Sequence, residues 1–223
     1  MKKHAMSWFA ATIVTSFLLG ACSGDSESED TPDAINGVQN EQTDAENDST
    51  SEVSQTPTES NIDRPEINLP EDMNNNFEDA DLGDAEQRVF YDVVQGINAT
   101  DYAISESDPS LDVLEFYYIA DALVDVRTYV RGAAEANDTW TGTAEYYDFS
   151  VEIPNERDAI VSYCIDTSGV QTKELDTGQV LPRAEDARDF NFTEVVLQQS
   201  EEGVWQVSRI MPRDEEKDAA CER

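Results

Sequence analysis

Basic residues are scarce in this chain: 14 Lys plus Arg stand against 49 Asp plus Glu, a formal charge of -35 over 223 residues. Neutralising nucleic-acid phosphates takes clustered Lys and Arg, so no nucleic acid is expected as a partner. Adsorption onto an anionic lipid surface through protein charge alone is disfavoured for the same reason. Histidine occurs once, as His4, inside a segment read below as a cleaved leader. Most His-based metal sites and His-containing triads are thereby removed. The chain also has no Ser nucleophile motif, no phosphate-cradling Gly-rich loop and no tight set of metal ligands. No cofactor and no metal is expected, and no catalytic residue is assigned.

Long apolar runs are missing as well. The longest, Trp8 to Leu19, follows Lys2 and Lys3 and is too short to span a ~30 Å hydrocarbon core, so residues 1–21 read as a signal peptide. It ends in Leu19-Gly20-Ala21-Cys22, which resembles a bacterial lipobox. The resemblance implies diacylglycerol transfer to the Cys22 sulfur, cleavage before it, and a lipoprotein held by acyl chains such as palmitate on the extracytoplasmic face of the cell membrane. The alternative is an ordinary cysteine after a conventional cleavage site. In an exported bacterial protein the Asn-X-Ser/Thr triplets at Asn98, Asn137 and Asn191 carry no meaning as glycan acceptors.

After Cys22 the composition switches. Residues 23–82 hold many Ser, Thr, Asn, Gln and Pro, few aromatics, and Arg64 as the single basic residue among abundant Asp and Glu. Such a stretch buries too little apolar surface to offset roughly 1–2 kcal/mol of backbone ordering per residue, so residues 22–82 are expected to form a lipidated, disordered acidic tether. A flexible chain of this length spans about 40–45 Å, and like-charge repulsion extends it. Weak divalent-cation binding by clusters such as Asp25 to Asp30 is the alternative, but nothing there supplies the turn and bidentate carboxylate of a calcium loop. Asn74-Asn75-Asn76 and Phe77 mark the approach to ordered structure.

From Gly83 the apolar residues become periodic. Ala85, Val89, Phe90, Val93, Val94 and Ile97 recur at helical spacing behind Asp84 as N-cap. A second helical segment opens at Ser107-Asp108-Pro109, carries Val113, Phe116, Ala120, Leu123 and Val130, and reaches about Ala136, in one piece or two. Then the pattern alternates. Tyr147, Phe149, Val151 and Ile153 share one face of a strand and Tyr146, Asp148, Ser150 and Glu152 the other. Asp158 to Asp166 and Phe190 to Gln199 give two more strands, with a turn at Asp176-Thr177-Gly178 between them, and Glu202-Gly203 turns the chain into Val204 to Met211. Helices followed by consecutive antiparallel strands make an α+β domain over residues 83–223.

Within that domain, Tyr163-Cys164-Ile165-Asp166, the Asp176-Thr177-Gly178 turn, Glu202-Gly203-Val204-Trp205-Gln206-Val207, the Thr139-Trp140-Thr141-Gly142 approach to the first strand and the terminal Cys221 resemble actinobacterial exported lipoproteins with a nuclear transport factor 2-like domain, of the SnoaL and ketosteroid isomerase-like superfamily. The resemblance implies N-terminal helices packed on a strongly curved antiparallel sheet, giving a cone, and a homodimer through the sheet. The superfamily spans transport factors, isomerase-like and cyclase-like enzymes and modules without chemistry, so the fold alone supplies no mechanism.

With Cys22 acylated, Cys164 and Cys221 remain as a pair in an oxidising compartment, and a disulfide is expected between them. Closing that loop contributes about 4 kcal/mol. Redox chemistry would need electropositive surroundings and is not expected of so acidic a chain.

A carboxylate base with hydrogen-bond donors in the cone is the enzymatic possibility. Asp101, Asp121, Asp125 and Asp166 are its carboxylates and Tyr102, Tyr117, Tyr118, Tyr147 and Tyr163 its donors. Asp121 and Asp125 occupy successive helical turns, where a solvated face is the simpler reading. Asp166 precedes Thr167-Ser168-Gly169 and reads as a turn former. Trp205 reads as core and Trp140 as a rim residue. Asp121, Asp125, Tyr118, Tyr147 and Trp140 are the residues placed at the pocket or its rim. Three functions follow: a lipid-anchored, non-enzymatic module binding a protein partner or small apolar ligand; an isomerase-like or cyclase-like enzyme; or a surface protein whose acidity is itself a high-salt adaptation.

Overall fold

A computed structural model describes residues 62–223 of the chain. The leader, Cys22 and the tether up to residue 61 lie outside the described residues. No described helix is long and apolar enough to cross a membrane.

The elements run β1 (Met73–Phe77), α1 (Asp84–Ser105), α2 (Asp112–Tyr117), α3 (Ala120–Ala136), β2 (Asp138–Glu152), β3 (Asp158–Asp166), β4 (Val170–Glu174), β5 (Phe190–Gln199), β6 (Trp205–Ile210) and α4 (Glu215–Ala220). The domain is α+β: α1 to α3 pack against one face of a six-stranded sheet ordered β1-β2-β3-β5-β6, with β4 also paired to β2. Helices leading into a bent sheet are the arrangement the family resemblance implies. The sheet is mixed and not purely antiparallel, because β1 runs parallel to β2, from Met73 opposite Gly142 to Phe77 opposite Tyr146.

That strand corrects the boundary set by composition. Composition assigns residues 62–82 to the disordered tether, yet Ile62, Ile67 and Phe77 pack on the core, Met73 is buried, and Arg64 forms an ion pair with buried Asp92. Averaged over the whole acidic stretch, these apolar side chains disappear. The Asn-rich strand has little propensity of its own and is held by pairing to β2.

Helix α1 is capped at Gly83, one residue before the expected Asp84, with the Gly83 N–H donating to Glu86 Oε2 at 2.7 Å. The second helical segment is broken. Tyr118 is extended and bridges Val207, Ile119 N–H donates to Val207 O at 2.9 Å, and Ala120, the first residue of α3, takes a positive φ of 50°. The break occupies the otherwise open edge of β6. Helix α3 ends on Asn137 in the left-handed region.

Bends come from two irregularities in β2. Asp148, at φ 52°, and Phe149 together oppose Tyr163, since Tyr147 pairs with Cys164 and Ser150 with Ser162. This bulge inserts one residue and exchanges the faces beyond it. Tyr146 therefore joins Phe149, Val151 and Ile153 on the helix side, and Tyr147 faces out, against the unbroken alternation expected. Earlier in the strand, Gly142 has φ +105° and any Cβ there would lie 2.1 Å from Gly169 O. Only glycine fits where β2 passes the β3–β4 corner.

Strand β4 departs from the sequence expectation, which makes its residues part of a connection. Val170, Gln171, Thr172, Lys173 and Glu174 have few apolar groups, and the strand exists by pairing with Asp138 to Gly142.

Candidate functional site

Helix α1 carries Asp101 on its buried side, only 8% exposed. The opposite wall comes from the sheet, where Asn75 of β1 stands across from Ala144 of β2, and Trp140 and Tyr146 share that face of β2 by the period of two. Trp140 Nε1–H donates to Asp101 Oδ1 at 3.1 Å. Asn75 Nδ2 donates to Asp101 Oδ2 at 2.7 Å and to Asn98 Oδ1 at 2.9 Å. These two acceptors define the amide's orientation, because the flipped form would set oxygen against oxygen.

Beside this carboxylate opens a cavity of about 730 Å³ between the C-terminal halves of α1 and α3 and the first half of β2 with β4. Ile104, Ala133, Ala144, Tyr146, Ile165 and Val170 are among its walls, and Tyr129 stands exposed at its rim. Burial raises the Asp101 carboxyl from its ordinary 3.8 to about 6, and the two hydrogen bonds, Asn75's first and Trp140's second, hold it from rising further. Burial, with the Asp101 charge adding to it, likewise pushes the Tyr146 phenol well up, so that hydroxyl stays neutral. Among the described residues two buried side-chain oxygens have no hydrogen-bond partner, Asn75 Oδ1 and Thr139 Oγ1, and the cavity also touches Thr139. Unpaired buried polar atoms are uncommon in folded proteins.

Of the residues that the sequence places at the pocket, Trp140 is there. Asp121 and Asp125 are exposed on α3 and do not line the cavity. Tyr118 is buried, but its hydroxyl donates to Gly96 O at 2.8 Å and accepts from Thr100 Oγ1 at 2.9 Å, closed within α1. Tyr147 lies on the outer face, where its hydroxyl bonds Cys221 O. Asp166 accepts from Ser168 N–H at 2.8 Å, as a turn former does. Trp205 is core.

In the sequence Asp101 is one of four undifferentiated carboxylates. Its signal is position, four residues after Ile97 and three before Ile104 on the apolar stripe of α1, where a solvated Asp has no place. Asn75 has no signal, since its role depends on β1.

The outer face is closed. Cys164 and Cys221 are bridged, and with Tyr147, Phe190 and Phe192 they form a second, smaller core under α4. Asp218 accepts from Phe192 N–H at 2.7 Å and pairs with Arg213; Arg223 stacks over the Tyr147 ring and pairs with Glu78. A further depression of about 740 Å³ is lined by Arg64 and six residues of α1 from Asp84 to Val94. Among the described residues no group of three or more His, Cys, Asp or Glu is placed to hold a metal.

No family model matches the chain and no curated protein matches it. Among solved structures it is similar to a ketosteroid isomerase-like protein from Erwinia carotovora atroseptica, at 14% identity over 58% of this chain and 95% of that one, TM-score 0.40. Aln2 from a Streptomyces species gives 12% identity over 60% and 96%, TM-score 0.40. The intermembrane space region of chloroplast protein ARC6 gives 11% over 56% and 94%, again at 0.40. At such values neither activity nor residue roles carry over, and the chemistry is read from this chain's own side chains.

Proposed function

We propose that the domain is a non-enzymatic binding module for a small, largely apolar ligand, held outside the cell by an acylated Cys22 and an acidic tether. The observation that supports it is the Asp101 carboxylate, buried at the wall of a mostly apolar cavity with two fixed donors and lone pairs to spare. One carboxylate gives orientation and the walls give affinity. The cavity is of a size that takes a drug-sized molecule. Pairing of two copies through the sheet belongs to the same proposal and would use outer surface beside α4.

A second reading is an isomerase-like or cyclase-like enzyme with Asp101 as base, favoured by a carboxyl raised to about 6, where it exchanges protons readily near neutral pH. Against it, the two donors on Asp101 are an indole and an amide, and no tyrosine hydroxyl completes the expected pair.

Mass spectrometry of the protein extracted from membranes tests the proposal. The expected result is an acylated N-terminal cysteine together with one retained small molecule, released by Asp101→Leu. A retained molecule recovered chemically converted would favour the enzyme. Unmodified protein from the cytosol, with nothing retained and no heat on titration with apolar probes, would overturn both anchor and binding.

A further inference from the structure

The acceptors around Asp101 outnumber the donors. The carboxylate offers about four lone-pair sites and receives two hydrogen bonds. Asn75 Oδ1 receives none, although it belongs to the amide that holds the carboxylate. Among the described residues no Lys, Arg or His lines the cavity, and a second carboxylate, Asp138, does. Arg183, whose guanidinium is bonded to the cavity's backbone, is engaged already: it donates to the carbonyls of Thr167, Val170 and Arg188 and pairs with Asp189. No ion pair among the described residues neutralises Asp101.

Three aromatic side chains, Tyr129, Trp140 and Tyr146, meet the same space. A cation beside the buried carboxylate gains from its charge, and aromatic rings around the same space add the attraction of their quadrupoles. A neutral or anionic ligand would leave the Asp101 charge without an opposite.

We infer that the ligand of this cavity is a protonated amine on an apolar skeleton, its ammonium donating to Asp101 while its apolar part lies along α3 and β4. The inference rests on the small-ligand reading above and names the chemical class that reading leaves open. The excess of acceptors over donors at a buried carboxylate, within a cavity that aromatic side chains and, among the described residues, no basic ones line, carries it.

The test is calorimetric titration of the purified full chain at physiological salt with three probes of one skeleton: 4-phenylbutylamine, 4-phenylbutanol and 4-phenylbutanoate. The expected result is one saturable site at which the amine binds about tenfold or more tighter than the alcohol and the carboxylate is weakest. The indole N–H resonance of Trp140 should shift with the amine. In Asp101→Asn the amine's advantage over the alcohol should fall below about threefold. If that variant does not fold, the salt dependence on the unaltered chain decides: an amine advantage kept in about 0.5 M salt supports the buried carboxylate, and one that collapses there assigns the attraction to overall acidity and overturns the proposal. Equal binding of all three, or tightest binding of the carboxylate, would overturn the amine while leaving a small-ligand site in place. An amine preference that survives intact in folded Asp101→Asn, or heat that never saturates, would assign the attraction to the chain's overall acidity and overturn the proposal. No saturable binding by any probe would remove the small-ligand reading as well.

Discussion

The two faces of the sheet solve opposite problems. On the outer face the C-terminal segment is bound by a disulfide, the Asp218 bonds and the Arg223 contacts. On the helix face, beside the ordinary core, Asp101 is buried without a cation and Asn75 Oδ1 without a donor. Stability alone would favour satisfying or replacing such groups. The difference teaches that folding finishes one face and leaves unmatched acceptors on the other, which is what the proposed ligand would answer.

Breaking the outer face should produce the largest effect. Cys164→Ala together with Cys221→Ala should cost about 4 kcal/mol in urea unfolding, with faster amide exchange across α4. Binding at the helix face should be unaltered in the folded variant. Loss of binding on removal of the disulfide would mean that the faces are coupled.

Charging the helix face comes next. The folded Asp101 carboxyl keeps its proton to about pH 6, whereas in the unfolded chain it loses it near 3.8, so between those values the folded state binds the extra proton. Stability contributed by this group is therefore greatest at the acid end and declines as pH rises from about 4 to 6, by about 3 kcal/mol. That decline should appear in the stability difference between the natural chain and Asp101→Asn, measured at each pH. A flat difference would place Asp101 in water.

Trp140→Phe keeps the ring and removes the donor to Oδ1. It should lower stability at neutral pH by about 1.5 kcal/mol and move the Asp101 carboxyl further up, as followed by carboxyl carbon shifts in an NMR titration. The smallest effect should come from Asp121→Asn and Asp125→Asn, both within about 0.5 kcal/mol and without influence on ligand binding, because both side chains are in water.

Sequence periodicity is a good guide wherever an element's own residues decide its conformation. The stripe from Val89 to Ile97, the run Phe190–Gln199 and the Gly203 turn are all local patterns, and all three are present in the structure. Elements that exist because a neighbour accepts them are illegible. The Asn-rich β1 and polar β4 form only as partners of β2, and the Asp148 bulge moves Tyr147 from the side of Phe149 to the opposite face. The site suffers most from this. Trp140 is legible as an aromatic near a strand start, but Asn75 meets Asp101 only through β1, and Tyr118 loses its hydroxyl to Gly96 and Thr100 by a fold detail that no spacing reveals.

A two-dimensional nitrogen–proton NMR titration with 4-phenylbutanol tests the contrast between the faces most directly, since a neutral probe reports the cavity without regard to ligand charge. Changes confined to the Trp140 indole N–H and the amides of Ala144, Tyr146 and Ala133, with Tyr147, Phe192 and Cys221 unmoved, are the predicted result. Changes centred on α4 or on the Arg64 side of α1, or a spectrum that does not respond, would contradict it.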